Sequence, residues 1–172
     1  MIEINNLVKR YGNTRAVNGI SFTVNDGEVL GFLGPNGAGK STTMNIITGY
    51  LSSTSGSVLV DGHDILEDPV AAKKNIGYLP ELPPLYFDMT VREYLNFVCD
   101  LKKVPSSERK AQINKILSMV HITDYADRLI GNLSKGYKQR VGMAQAMVGD
   151  PKILILDEPT VGLDPTQIQE IR

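Results

Sequence analysis

Cysteine is nearly absent from this sequence, and neither sign of charge dominates it. The single cysteine, Cys99, cannot form an internal disulfide, and no metal-ligand spacing surrounds it. It reads as a small apolar core residue, and a chain without a disulfide framework fits a reducing compartment. The 18 Lys and Arg are balanced by 19 Asp and Glu, leaving a formal net charge of -1. That balance gives no sign of a nucleic-acid groove or an acidic-lipid patch. No apolar run approaches the ~20 residues a helix needs to span a bilayer. The stretch from Met1 to Arg10 is too polar for a secretory signal. Any membrane role therefore requires a separate protein or chain segment. Histidine is scarce. His63 follows a turn glycine and His121 ends a helix, so both read as solvated or packing residues. Internal repeats and low-complexity tracts are missing too.

What is present suits an ordered α/β domain. The 172 residues are 42% hydrophobic and 22% charged, enough for one domain with a substantial core. Ile2 and Ile4, then Ile20, Phe22 and Val24, alternate with polar residues and predict strands with one buried face. Val29 to Leu33 is a short apolar run, the pattern of a strand buried on both faces. A glycine-rich loop from Gly34 to Gly39 leads into a predicted helix from Lys40 to Thr48. Val58 and Val60 before Asp61-Gly62, and Ile76 to Leu79, predict two further strands. After Pro80, Pro83 and Pro84 the pattern turns helical. Thr90 and Glu93 form a capping box, and Ile113, Ile116, Leu117 and Val120 mark a second helix. Ser134 caps a third helix, which runs to about Val148 and is stopped by Asp150-Pro151. Ile153 to Leu156 predicts a last buried strand. The fold expected is α/β, with a mostly parallel sheet, an N-terminal antiparallel β subdomain and an inserted helical subdomain. Residues 1–85 and 141–172 form the expected core, and 86–140 the helical subdomain.

Two motifs carry phosphate chemistry. Gly34-Pro35-Asn36-Gly37-Ala38-Gly39-Lys40-Ser41-Thr42 matches the phosphate-binding pattern G-x-x-x-x-G-K-[ST]. Its glycines let successive N–H groups turn inward toward phosphate oxygens, and the following helix adds its positive end. Lys40 supplies a point charge for the β- and γ-phosphates, and Ser41 a hydroxyl for Mg²⁺. The second motif is Ile-Leu-Ile-Leu-Asp-Glu, ending in Asp157 and Glu158 at the carboxyl end of a strand. Asp157 is expected near the Mg²⁺ held by Ser41, and Glu158 is placed to orient or deprotonate an attacking water. Together they imply a nucleoside-triphosphate site without choosing between a kinase, a GTPase and a motor.

A third set of residues suggests the choice. Leu133-Ser134-Lys135-Gly136-Tyr137-Lys138-Gln139-Arg140 resembles the signature motif of the ABC (ATP-binding cassette) family, usually written L-S-G-G-Q. Ser134 and Gly136 match, Lys135 and Tyr137 depart, and Gln139-Arg140 match the usual continuation. The resemblance covers the chain from Tyr11 to Asp164. It implies a P-loop core that binds ATP with Mg²⁺ and hydrolyses it. Tyr11 then resembles the ring that stacks on adenine, and Gly162-Leu163-Asp164 the loop whose Asp164 carries contacts between two sites. A surface tyrosine before Gly12 and a plain turn aspartate remain the alternatives. Pro80-Glu81 occupies a loop where the family commonly has glutamine, so Glu81 is a candidate for Mg²⁺ or water, or else a solvated acid. Leu82, Leu85, Tyr86 and Phe87 would meet a membrane partner's helix or belong to the subdomain core.

The resemblance also implies partners. Two cassettes bind head to tail around two ATP molecules, with Ser134 and Gly136 facing the γ-phosphate held by the other copy. Tyr-Leu-Pro-Glu and Leu-Ser-Lys-Gly-Tyr resemble exporter-type ATPases that pair with a separate integral membrane permease. Such a subunit is cytoplasmic and peripheral at the inner face of the membrane, with no nucleic acid partner. The family's γ-phosphate histidine would follow Arg172, so a C-terminally shortened chain is expected. Two other readings stay open: a soluble ABC ATPase acting on nucleic acid or ribosomes, and a nucleotide-gated assembly module.

Overall fold

Alternating burial sets the first sheet. Ile2 and Ile4 on β1 (Ile2–Tyr11) are buried, and they face Val60 and Val58 on β3 (Ser55–Val60) across an antiparallel ladder. On its other side β1 pairs antiparallel with β2 (Thr14–Val24), and β4 (His63–Asp64) completes the order β2-β1-β3-β4. The computed structural model describes residues 1–160. Its two compact units are Met1–Ile76 and Gly77–Arg172. In the first, α1 (Lys40–Ile47) buries Thr43, Ile46 and Ile47. A short α2 (Pro69–Lys74) starts where Asp68 accepts a hydrogen bond from the Ala71 N–H and proline takes the first helical position.

One expectation fails here. Val29 to Leu33 forms no strand, and Val29 and Leu33 are 96% and 94% exposed. A strand buried on both faces needs a ladder neighbour on each edge. None of the described strands pairs with this run, so its apolar residues are left uncovered. Phe32 alone is tied down, with its ring 5.7 Å from that of Phe22.

The second unit begins within β5 (Ile76–Leu79) and continues through α3 (Val91–Leu101), α4 (Ser106–Met119) and α5 (Lys135–Met147) to β6 (Ile153–Leu156). The capping box is complete. The Thr90 N–H and hydroxyl donate to the Glu93 carboxylate at 2.8 and 2.9 Å, and the Glu93 N–H donates back to Thr90 Oγ1 at 3.2 Å. These bonds hold the Glu93 carboxyl below its ordinary value, the backbone donor contributing most. Leu95 of α3, Leu117 of α4 and Val141 of α5 meet in one core with Ile122 and Ile130. Cys99 lies in that core as expected, and burial pushes its thiol pKa up.

β5 and β6 pair, and the Asp157 N–H donates to the Leu79 carbonyl at 2.9 Å. That bond joins the carboxyl ends of both strands, so they run in the same direction with the helices as their crossover. β6 is less covered than its sequence suggests. Ile155 is buried but Leu154 is 47% exposed, because among the described residues β6 has β5 as its sole neighbour. No helix among the described residues is long and apolar enough to cross a membrane.

Candidate functional site

The glycine loop fits a phosphate chain. Gly37 and Gly39 take φ of 81° and 87°, a region open to glycine and strained for other residues. At Gly39 space is limiting as well, because a Cβ would overlap the Ala16 carbonyl. The backbone can therefore tuck against β2 only without a side chain. Gly39 is also the N-cap of α1, where it offers no side-chain acceptor. The first intrahelical acceptor serves Thr43, whose N–H and hydroxyl both donate to the Gly39 carbonyl at 2.9 Å. The N–H groups of Lys40, Ser41 and Thr42 precede it and have no helical carbonyl to bond. With no acid in the first turn, the positive end of α1 is unscreened. Lys40 Nζ bends over the loop and donates to the carbonyls of Gly34 and Pro35 at 2.7 and 3.0 Å. Gly34, Pro35, Asn36, Gly37, Ala38 and Ser41 are exposed, and Thr42 is half-buried. An uncapped helix end beside an ammonium offers N–H donors of the kind that bind anions, and the Ser41 hydroxyl next to them is exposed.

Tyr11 belongs to the same unit. It pairs with Thr14 at the end of the β1–β2 hairpin, two residues before the Ala16 that abuts Gly39. The half-exposed ring is thus on the hairpin whose second strand abuts Gly39. Lys9 Nζ lies 5.3 Å from the ring centroid.

In the second unit, Glu81, Asp157 and Glu158 share the rim at the carboxyl ends of β5 and β6. Asp157 is buried, whereas the adjacent Glu158 is exposed with a φ of 50°. A non-glycine residue in that region is uncommon. The two neighbouring acids thus differ in burial. Burial, and then the Asp157 charge, push the Tyr78 phenol pKa up. Glu81 is exposed two residues beyond Leu79.

The position of Ser134 follows from how α5 packs. A Cβ on Gly142 would press on Leu79 and Pro83, and one on Gly77 would meet the Ala146 carbonyl. Rising numbers on α5 thus match falling numbers on β5, so the helix runs antiparallel to the strands. Its N-terminus projects past the rim. Eight residues separate Gly142 from Ser134, or ~12 Å along a helix. Ser134 is therefore on the side of the acids, yet well beyond them. Ser134 caps α5, its Oγ accepting from the Tyr137 N–H at 3.4 Å, and Gly136 is buried.

The expected residues thus divide between the two units: Tyr11 and Gly34–Thr42 lie in the first, and Glu81, Ser134, Gly136, Asp157 and Glu158 in the second. Asp164 lies outside the described residues. Of the four residues considered for a membrane partner, Leu85 packs on the helical core. Leu82, Tyr86 and Phe87 are exposed. Tyr78, Gly77 and Gly142 went unnoticed in the sequence. A glycine inside a predicted strand was the available signal for Gly77.

Residues 17–161 match the family profile described as ABC transporter. An uncharacterised ABC transporter ATP-binding protein of Bacillus subtilis, YxlF, is 42% identical over 96% of this chain and 55% of its own length. The bacitracin transport ATP-binding protein BcrA of Bacillus licheniformis is 37% identical over the whole chain and 55% of its own length. The chain thus spans about half the length of these curated relatives. A dimeric bacterial ABC transporter cassette superposes with a TM-score of 0.89 at 28% identity, covering 99% of this chain and 79% of that one. The same cassette in a post-hydrolysis state bound to ADP and Pi gives 0.88 at 27% identity, with the same coverage. These likenesses carry the expected fold, a P-loop core with a mostly parallel sheet, an antiparallel β subdomain and inserted helices.

Proposed function

The chain belongs to the ABC transporter family, and from that premise we propose that it is the ATP-binding and ATP-hydrolysing cassette that powers transport through a separate membrane permease by nucleotide-driven dimerisation. The observation that carries the reading is the glycine-bounded, uncapped start of α1 with Lys40 folded over it. The N–H groups of Lys40, Ser41 and Thr42 hold the phosphate tail of ATP, and the Lys40 ammonium neutralises its β and γ oxygens. Tyr11 offers a ring face to adenine. The Ser41 hydroxyl and the Asp157 carboxylate, with Glu81 as a further carboxylate, would hold Mg²⁺, as the family resemblance implies. The metal supplies positive charge against the charge that builds on the transferred phosphoryl group. Exposed Glu158 accepts a proton from the attacking water, a task for which its separation from buried Asp157 suits it.

As the family resemblance implies, Ser134 and Gly136 face the γ-phosphate held by a second copy. The neighbouring cassette that is dimeric, and the one bound to ADP and Pi, support association and hydrolysis for this chain. Asp164 would carry contacts between the two sites. Exposed Leu82, Tyr86 and Phe87 form the apolar face offered to the permease, which would hold the chain at the cytoplasmic side of the membrane.

Two variants of the full chain test this. A charge-assisted hydrogen bond is worth ~1.5–3 kcal/mol, so Lys40→Ala should weaken ATP binding about tenfold to a hundredfold in a titration. Unchanged affinity removes Lys40 from the site. Glu158→Gln should keep ATP, stop phosphate release and accumulate ATP-bound dimers by light scattering. Wild-type turnover in that variant would exclude Glu158 as the base.

A further inference from the structure

We infer that Tyr125 and Tyr137 are a positioning pair that aims the phosphate-facing end of α5, and that the Tyr137 side chain does not contact nucleotide. The inference rests on the proposed role of Ser134 and Gly136 toward a second copy's γ-phosphate. Tyr137 stands where the signature motif usually has glutamine. Its ring does not point forward with Ser134. It lies on Tyr125, with centroids 4.1 Å apart and planes inclined by 32°, and both rings pack against the helical core. Offset aromatic contact of this kind favours one relative placement of the two rings.

Each ring is also tied down by a cation. The Arg128 guanidinium lies 4.8 Å from the Tyr125 centroid, and that of Arg140 lies 5.9 Å from the Tyr137 centroid. Arg140 is buried and donates through Nη1 to the Val120 carbonyl at 3.1 Å. Tyr137 and Arg140 are three residues apart on α5 and so share a face. That face is fastened to segment 120–128. Tyr125 is held in turn by a 3-10 turn, Thr123–Tyr125, in which its N–H donates to the Ile122 carbonyl at 3.0 Å. Lys138 bends back as well, donating to the Gly131 carbonyl at 3.2 Å and standing 5.0 Å from the Phe87 ring.

The side chains of residues 137, 138 and 140 thus all reach into their own subdomain, while Ser134 and Lys135 are exposed. What remains exposed at this end of α5 is Ser134 and Lys135. The Tyr137 backbone connects the two halves. Its N–H donates to Ser134 Oγ, which leaves the Ser134 O–H to donate to an anion. Fixing the Tyr137 ring therefore helps to fix the backbone that holds the Ser134 hydroxyl. The pair replaces a polar contact in the motif with a packed anchor behind it.

The test uses the full chain carrying Glu158→Gln, with the dimer dissociation constant read by analytical ultracentrifugation at saturating Mg-ATP. ATP affinity of the monomer, set by the Gly34–Thr42 loop, is measured alongside. Tyr137→Phe keeps the stack and should dimerise within about twofold of the parent. Tyr137→Ala should weaken dimerisation about tenfold with monomer ATP affinity unchanged. Tyr125→Ala, outside the motif, should give the same defect, and the double variant no further loss. Tyr125→Leu takes its place if the alanine variant does not fold. If the Tyr125 variant dimerises normally while Tyr137→Ala does not, Tyr137 acts by direct contact and the positioning role is overturned. A Tyr137→Phe defect as large as that of Tyr137→Ala overturns it too, by assigning the role to the hydroxyl. If the Glu158→Gln parent stays monomeric with ATP, the role given to Ser134 fails, and this inference with it.

Discussion

Replacing Gly39 with alanine perturbs the junction on which phosphate binding depends, and the structure sets the size of the effect. At a φ of 87°, an L-residue is in the left-handed region, which costs roughly 1–2 kcal/mol. The added methyl would also overlap the Ala16 carbonyl and come to 3.4 Å from a Val17 methyl. Relieving such overpacking by moving backbone costs about 1–3 kcal/mol more. The sum is roughly 2–5 kcal/mol. In a domain of this length 1 kcal/mol shifts the melting temperature by roughly 2–4 °C, so Gly39→Ala should melt about 4–20 °C lower. Gly37→Ala is the control. Its φ of 81° carries the dihedral strain, but a Cβ there meets nothing within 4 Å. It should lose only the first term, roughly 2–8 °C. ATP titration well below both transitions should show Gly39→Ala weaker by about tenfold or more, because a shift of about 1.4 kcal/mol suffices. A Gly39→Ala melting point no lower than that of Gly37→Ala, with ATP affinity intact, would refute the close approach to β2.

Further outcomes are expected elsewhere in the chain. Thr90→Ala removes both the cap and the partner of Glu93, and should lower stability by about 1 kcal/mol in a denaturant titration. The Glu93 carboxyl is held below its ordinary value, so its contribution is complete above the unfolded-state pKa and is lost as pH falls through the folded one. The melting-temperature gap between wild type and Glu93→Ala should therefore be widest at neutral pH and close in acid. Gly142→Val should press on Leu79 and Pro83 and destabilise by roughly 1–3 kcal/mol, whereas a neutral result would contradict the packing of α5 on β5. Buried Cys99, its thiol pKa pushed up, should react with a thiol reagent only at the rate of unfolding, followed by absorbance.

Much of this was legible in the sequence because it is local. The capping box needs only Thr90 and Glu93, the α1 start only the residues from Gly39 to Thr43, and the α5 cap only Ser134 with its own helix. Asp157 and Glu158 were found at a strand end, although their unlike burial came from the backbone turn at Glu158, which residue identity does not encode. The failures depend on distant partners. Val29 to Leu33 carries the composition of a buried strand, but burial requires neighbours that lie far along the chain. The partial exposure of Leu154 has the same origin. The Tyr125–Tyr137 stack joins residues 12 apart in separate elements, and only the departure of Tyr137 from the usual motif hinted at it.

The most direct test is a structure of the full chain crystallised with Mg²⁺ and a non-hydrolysable ATP analogue. The expected result is a triphosphate within hydrogen-bond distance of the backbone N–H groups from Gly37 to Thr42 and of Lys40 Nζ, with the metal on Ser41 Oγ. A nucleotide seated elsewhere, with this loop empty, would contradict it.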